Sequence, residues 1–299
     1  MKLAEKNWYC RSPLLVQNAV VSAYGFAQRA GRNGKGFRRI LNELEESQWY
    51  SEEEFAELRR EKLERLVRHC YEKVPYYRAV MKERGLTPSD VRGPEDLPKL
   101  PFLTKEIVRT RYEELVSEDA GSRRPRKSTS SGTTGTPLAT LRDQYSIEFE
   151  QASLWRHWAI GGLPLFGRRA SLRGHPVVPP NQKTPPYWRT NIAENQLVMS
   201  GFHLSFEAGP SFAHAIRDFG ARAVEALPAS VYFLAESMLA HGEHLELDLV
   251  LTGSEPVYPM HRAAIEKAFG CKLFDFYGLS ERVAFAMECE HHTGLHVAP

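Results

Sequence analysis

Between residues 51 and 71, apolar and charged positions alternate with the period of a helix. Phe55, Leu58, Leu66, Val67 and Cys70 recur on one face, and Glu and Arg fill the other. Ser51 with Glu54 three residues on makes a capping box that fixes where this helix begins. Residues 75–101 are interrupted by prolines and glycines and predict short helices joined by turns. Downstream the pattern changes. Residues 222–226 read as a short buried strand, a helix follows Pro228 over 230–241, and LDLVLT (247–252) is a strand running into a turn at 253–256. Pro259 sits where a first helical turn tolerates proline, and Gly270 stops the helix that runs to Phe269. KLFDFY (272–277) is a further strand, ending at Gly278. Strand, turn, helix, strand is α/β grammar, with the loops at strand ends as the expected ligand surface.

Two other stretches depart from these periods. Residues 13–27 (PLLVQNAVVSAYGFA) are apolar but short and broken by Gln17 and Asn18, whereas a membrane-spanning helix wants about 20 predominantly apolar residues. No small-residue cleavage site follows, which argues against a signal peptide. A helix docked on its own domain by its apolar face is the favoured reading. A weak peripheral membrane contact, with Arg29, Arg32 and Lys35 reaching anionic headgroups, is the alternative. Residues 174–187 hold five prolines and are expected to form a surface loop.

Composition narrows the class. With 299 residues and 42% hydrophobic content, the chain can bury a sizeable core. Its 39 basic and 37 acidic side chains nearly cancel, so no nucleic-acid partner is expected, since such domains are normally strongly basic. Four scattered cysteines (Cys10, Cys70, Cys271, Cys289) do not make a disulfide framework, and a reduced, cytoplasmic setting is the default.

The richest candidate chemistry lies at 128–137, STSSGTTGTP. Gly132 and Gly135 permit backbone conformations that turn successive N–H groups toward one point, an anion nest. Ser128, Thr129, Ser130, Ser131, Thr133, Thr134 and Thr136 surround it with hydroxyls. Polyphosphate is the obvious guest, and the spacing excludes a Walker A loop. The bland alternative, a flexible Ser/Thr/Gly linker, sits poorly between ordered-looking segments. The basic run GSRRPRK (121–127) just ahead of the loop is either a solvated surface or a lure for polyanions such as ATP.

This loop resembles the phosphate loop of the adenylate-forming superfamily of acyl- and aryl-CoA ligases, luciferases and adenylation domains. Tyr277-Gly278-Leu279-Ser280-Glu281 is similar to that family's Tyr-Gly-x-Thr-Glu motif, and Gly253-Ser254-Glu255-Pro256 to its adenine-lining turn. The three stand in the family's order, about 120 and then about 20 residues apart. WYSEEEFAELRREKLERLVRHCYEKVPYYR, DLPKLPFLTKE, SEPVYP and YGLSERVAFAMEC resemble the phenylacetate-CoA ligase group, and more closely its CapK-like relatives encoded with polysaccharide-synthesis functions.

The resemblance implies an α/β fold, the N-terminal domain of the adenylate-forming fold, with mixed sheets flanked by helices. It implies a helical N-terminal layer over 1–115 and an AMP-binding core over 116–299. It also implies ATP-dependent activation of a small-molecule carboxylic acid through an acyl-adenylate, with coenzyme A as the acceptor. Tyr277 would stack on adenine, and Gly253, Ser254, Glu255 and Pro256 would line it beside Gly278 and Ser280. The 128–136 loop would cradle the β- and γ-phosphates, with Thr133 and Thr134 at the catalytic centre. Glu281 would hold Mg²⁺, although without the preceding Tyr-Gly it would read as an ordinary exposed acid beside Arg282. His203, in GFHLS, stands where the family often borders the acyl pocket, and reads equally as a hydrogen-bonded structural residue.

Two departures stand out. Many relatives carry Lys where this loop has Thr136, leaving Arg123, Arg124, Arg126 or Lys127 as substitutes. The family's ribose-holding Asp, hinge and small C-terminal domain with its lysine have no counterpart in the sequence, so an incomplete enzyme is expected. A separate C-terminal half or a polysaccharide-assembly protein is then a candidate partner. A catalytically silent nucleotide-binding scaffold is the competing function. Cys289, His291, His292 and His296 are residue types that suit zinc, but their C-x-H-H-x3-H spacing is not a standard site, and zinc is not expected.

Overall fold

The computed structural model describes residues 3–129 and 137–298. These residues divide into two compact units. One comprises 3–35, Ser153–Gly278 and Ala284–Ala298; the other comprises Gly36–Ala152 and Leu279–Val283. The boundary expected at 115/116 falls inside the second unit.

In chain order the helices are α1 (Asn7–Arg11), α2 (Leu14–Arg32), α3 (Lys35–Ser47), α4 (Glu52–Lys73), α5 (Pro75–Glu83), α6 (Lys105–Thr110), α7 (Tyr112–Leu115), α8 (Gln144–Ile160), α9 (Gly209–Phe219), α10 (Pro228–Ala240) and α11 (Pro259–Phe269). The strands are β1 (Arg126–Thr129), β2 (Ala139–Arg142), β3 (Arg169–Leu172), β4 (Trp188–Asn191), β5 (Gln196–Met199), β6 (Ala223–Ala226), β7 (Leu249–Gly253), β8 (Lys272–Gly278), β9 (Phe285–Glu288) and β10 (Leu295–Val297).

The first unit is built on an eight-stranded mixed sheet in the order β10-β9-β8-β7-β6-β3-β5-β4. Its central strands, β5, β3, β6, β7 and β8, run parallel, while β4, β9 and β10 each pair antiparallel to a neighbour. Covered on both faces, β7 is buried at every position, which is why LVLTG carries no polar alternation. On one face, Phe212 and Ile216 of α9, Leu234 and Met238 of α10, and Ile265 and Phe269 of α11 pack on Val224, Val250 and Leu273. On the other, His157 of α8 packs edge-on against Phe274 and Phe276.

α2 covers the β4 edge in an unusual way. Its protein-facing side joins the buried Val21 to small and polar residues. The Asn18 carboxamide oxygen accepts from the Thr190 N–H at 3.0 Å, and the Ser22 hydroxyl oxygen accepts from the Ile192 N–H at 3.1 Å. Gln17 takes the buried Arg189 guanidinium at 2.6 Å. An open strand edge is a row of unpaired backbone groups, and this helix satisfies two of them with side chains. Gly25 permits the close approach, because a Cβ there would lie 2.1 Å from the Asn191 carboxamide oxygen. The helix is therefore docked through Val21 and a polar, edge-capping strip rather than through a broad apolar face. The Pro-rich segment is also more than a surface loop. Val177 and Val178 are buried with Tyr9 and Val21, and the Tyr9 hydroxyl donates to the Val177 carbonyl at 2.7 Å.

In the second unit, α4 starts where the capping box places it. The Ser51 N–H donates to Glu54 at 2.8 Å, and the Glu54 N–H donates back to the Ser51 hydroxyl at 3.2 Å. Val67 faces Met81 and Val91, but Leu66, read as part of the same stripe, is 58% exposed. Strands β1 and β2 pair antiparallel, with Thr129 opposite Ala139.

Candidate nucleotide site

Parallel strands present their carboxyl ends to one edge of a sheet, and helix N-termini gather there. In the first unit, this edge carries the ends of β3, β5, β6, β7 and β8. Gly253 closes β7 opposite Phe276, so the 253–256 turn and Tyr277 leave the sheet from adjacent strands. Tyr277 is 50% exposed, an aromatic face held by a strand and open at the edge. Gly253 lies under the Phe276 ring, and a Cβ there would sit 2.5 Å from a ring carbon. Ser254 takes a left-handed φ of 76°, turning the chain away at once. Glu255 accepts from the Ala229 N–H at 3.3 Å, at the start of α10, where a carboxylate is favoured by the helix dipole.

A residue that motif reasoning missed holds this turn. Arg173 follows β3, and its guanidinium donates to the Ser254 hydroxyl and to Glu225, each at 3.0 Å, while lying over the Phe276 ring. Glu225 is shared with the buried Arg169, whose other side meets Glu194 at 3.2 Å. Burial alone would raise the Glu225 carboxyl, but Arg173 and Arg169 outweigh it and hold it below the ordinary value. The only sequence signal was the alternation of Arg169, Ser171 and Arg173 along one side of a short strand.

On the opposite face, the Thr252 hydroxyl donates to Asp275 at 2.7 Å, and the Asp275 N–H donates to Glu288 at 2.9 Å. Burial, with Glu288 adding to it, raises the Asp275 carboxyl, against the opposing Thr252 bond. His203 stands just beyond β5. Its Nδ1 lies 2.7 Å from the Ser200 hydroxyl, and its ring is stacked on Tyr187 at 5.1 Å. Burial lowers its pKa, which favours the neutral imidazole.

The second unit holds strands β1 and β2 and the 279–283 segment. Ser128 and Thr129 end β1; Ser130, Ser131, Gly132, Thr133, Thr134, Gly135 and Thr136 lie outside the described residues. Arg142 of β2 donates to the Ser280 carbonyl, tying that strand to the 279–283 segment. That segment is a tight turn, with the Arg282 N–H donating to the Leu279 carbonyl at 2.9 Å and Arg282 left-handed at φ 59°. The Arg282 guanidinium pairs with Glu150 at 2.7 Å. Glu281 makes no hydrogen bond or ion pair among the described residues, so Arg282 does not neutralise it. An unpaired carboxylate is the kind of ligand a hydrated Mg²⁺ accepts, since that ion takes one or two carboxylates and keeps several waters.

The Cys/His cluster does not assemble. Among the described residues no group of three or more His, Cys, Asp or Glu side chains is arranged to hold a metal ion. His292 instead packs on Phe274 at 4.6 Å, with its Nδ1 3.4 Å from Glu288. The Cys271 thiol is pushed up to about 12 by burial.

The architecture is shared with solved CoA ligases. Two structures of a 2-hydroxyisobutyryl-CoA ligase in complex with 2-HIB-AMP and CoA match 82% of this chain, at TM-scores of 0.58 and 0.59 and 17% and 18% identity. The fold is that of these CoA ligases, a mixed α/β sheet flanked by helices, and is consistent with the adenylate-forming superfamily. Within it, the sequence is similar to the phenylacetate-CoA ligases and CapK. The Pseudomonas putida phenylacetate-coenzyme A ligase is 30% identical over 244 residues, 78% of this chain and 53% of that protein. The Thermus thermophilus enzyme of that name is 28% identical over 82% of this chain and 55% of its own length. Protein CapK of Staphylococcus aureus is 23% identical over 94% of this chain and 61% of its own. The chain thus spans a little over half the length of these relatives. No family model matches it.

Proposed function

We infer that the chain carries the ATP-facing part of an AMP-forming ligase that activates a small carboxylic acid and passes the acyl group to a thiol, with coenzyme A as the acceptor. The observation that carries this reading is the half-exposed Tyr277 at the end of β8, next to the Arg173-held turn at the end of β7. An aromatic face beside a fixed run of backbone is what a purine needs for stacking and edge recognition. The Ser128–Thr136 loop is assigned to the β- and γ-phosphates, with Thr133 and Thr134 assigned to the catalytic step. Glu281 is assigned to Mg²⁺, which when bound would neutralise phosphate charge.

In the reaction, a carboxylate oxygen of the acid forms a bond to the α-phosphorus, and the bond to the bridging oxygen of the β-phosphate breaks. Pyrophosphate leaves with that electron pair. The acid is its own nucleophile, so the protein's contribution is positioning and charge stabilisation rather than a catalytic triad. His203, neutral and held by Ser200 and Tyr187, is assigned to the border of the acyl pocket. The similarity to CapK supports a connection with polysaccharide assembly.

ATP–pyrophosphate exchange with a panel of aryl and acyl acids tests this. Exchange supported by at least one acid, and reduced about 100-fold or more by Glu281→Gln, is the expected result. Nucleotide binding with no exchange for any acid would instead favour a silent scaffold.

A further inference from the structure

We propose that α1 and α2 form an interfacial anchor that lays this chain on an anionic lipid surface. The proposal does not depend on the nucleotide reading. Val21 packs inward and Gln17, Asn18 and Ser22 bond the β4 strand and its Arg189, so the rest of the apolar side of α2 points away from the protein. Leu15, Val16, Ala19, Ala23, Phe26 and Ala27 are all exposed, Leu15 at 81% and Phe26 at 58%. At the helical rise of 1.5 Å per residue this face is about 18 Å long. It carries no charged side chain along that length. Soluble domains seldom leave such a stripe open without an occupant.

The surrounding charge selects the occupant. From residue 3 to residue 35 the acidic residue is Glu5 alone, against Lys6, Arg11, Arg29, Arg32 and Lys35. Arg29 is engaged, donating to the Ala193 carbonyl at 2.7 Å and stacking on Phe166, but Lys6, Arg11, Arg32 and Lys35 are exposed at the two ends of the stripe. Trp8, 57% exposed, stands at the N-terminal end, an amphipathic ring of the kind that sits at headgroup depth. An apolar face bounded at both ends by cations matches a bilayer interface, with acyl chains under the stripe and phosphates at its ends. A second copy of the chain would meet the same cations in mirror positions and be repelled. The geometry is monotopic, since among the described residues no helix is long and apolar enough to cross a membrane.

The test is co-sedimentation of the chain with vesicles of phosphatidylcholine alone and with about one third phosphatidylserine. The expected result is pelleting with the anionic vesicles, weakened by salt, and little with phosphatidylcholine. Leu15→Glu with Phe26→Glu should abolish pelleting while leaving the circular dichroism spectrum unchanged, since both side chains are exposed. Arg32→Gln and Lys35→Gln should each lower the partition about fivefold. A chain that stays in the supernatant, or pellets equally with both vesicle types, overturns the proposal. So does a dimer in solution that the Leu15/Phe26 variant splits, because a second copy would then be the occupant.

Discussion

Arg173 links three structural roles in one side chain: it compensates the buried Glu225, covers Phe276 and fixes the Ser254 hydroxyl. Removing it leaves Glu225 with Arg169 alone at 3.8 Å and frees a turn whose left-handed serine is held from outside. Arg173→Ala is therefore expected to lower stability by about 1–3 kcal/mol in urea denaturation and to weaken nucleotide binding about tenfold. Arg173→Lys should recover part of the stability but less of the binding, because an ammonium cannot reproduce the fork to two acceptors. His157 makes a separate prediction. Burial, aided by the neighbouring Arg156 charge, lowers its pKa from 6.5 to about 3. In the window between those values the unfolded chain binds a proton that the folded chain does not, so stability is lost as pH falls through it. His157→Phe should remove up to about 1.4 kcal/mol per pH unit from the slope of stability between pH 6 and 4. At this scale Tyr277, Gly278 and Glu281 stood out in the sequence by their likeness to a known motif. Arg173 was not, since its partners, Glu225 and Ser254, lie on other strands.

Among the elements, β7, β8, α10 and α11 were readable from period and punctuation alone, because a parallel strand buried on both faces is a short apolar run and its crossover helix begins with proline. α2 was readable as a helix but not in its orientation. Apolar side chains normally mark the buried face, and here Val21 shares it with Asn18 and Ser22, because a strand edge demands hydrogen-bond partners as well as apolar contact. The Pro-rich segment failed similarly, since proline count says nothing of the two buried valines it carries. The edge-capping account predicts that Asn18→Ala and Ser22→Ala each destabilise the chain by about 1 kcal/mol in urea denaturation, by leaving the Thr190 and Ile192 N–H groups without a partner. Hydrogen exchange at those two amides should rise with the respective variant; unchanged exchange would remove the edge-capping role.

For the molecule as a whole, the sequence legibly carried the α/β class and the likeness to CoA ligases, because three separated motifs stand in one order and two of them end adjacent parallel strands. The acid and its pocket were not legible, as neither His203 nor its stacking partner Tyr187 belongs to a fixed pattern. The central claim is that Tyr277 and the 253–256 turn form an adenine site. It is tested most directly by equilibrium titration of the chain with ATP and with AMP, in the presence of magnesium, beside the Tyr277→Ala variant. The account predicts saturable binding of both nucleotides, weakened about tenfold or more by the substitution, in keeping with the 1–3 kcal/mol of one base–aromatic stack. Absence of binding to either nucleotide, or binding that Tyr277→Ala leaves unchanged, would contradict it.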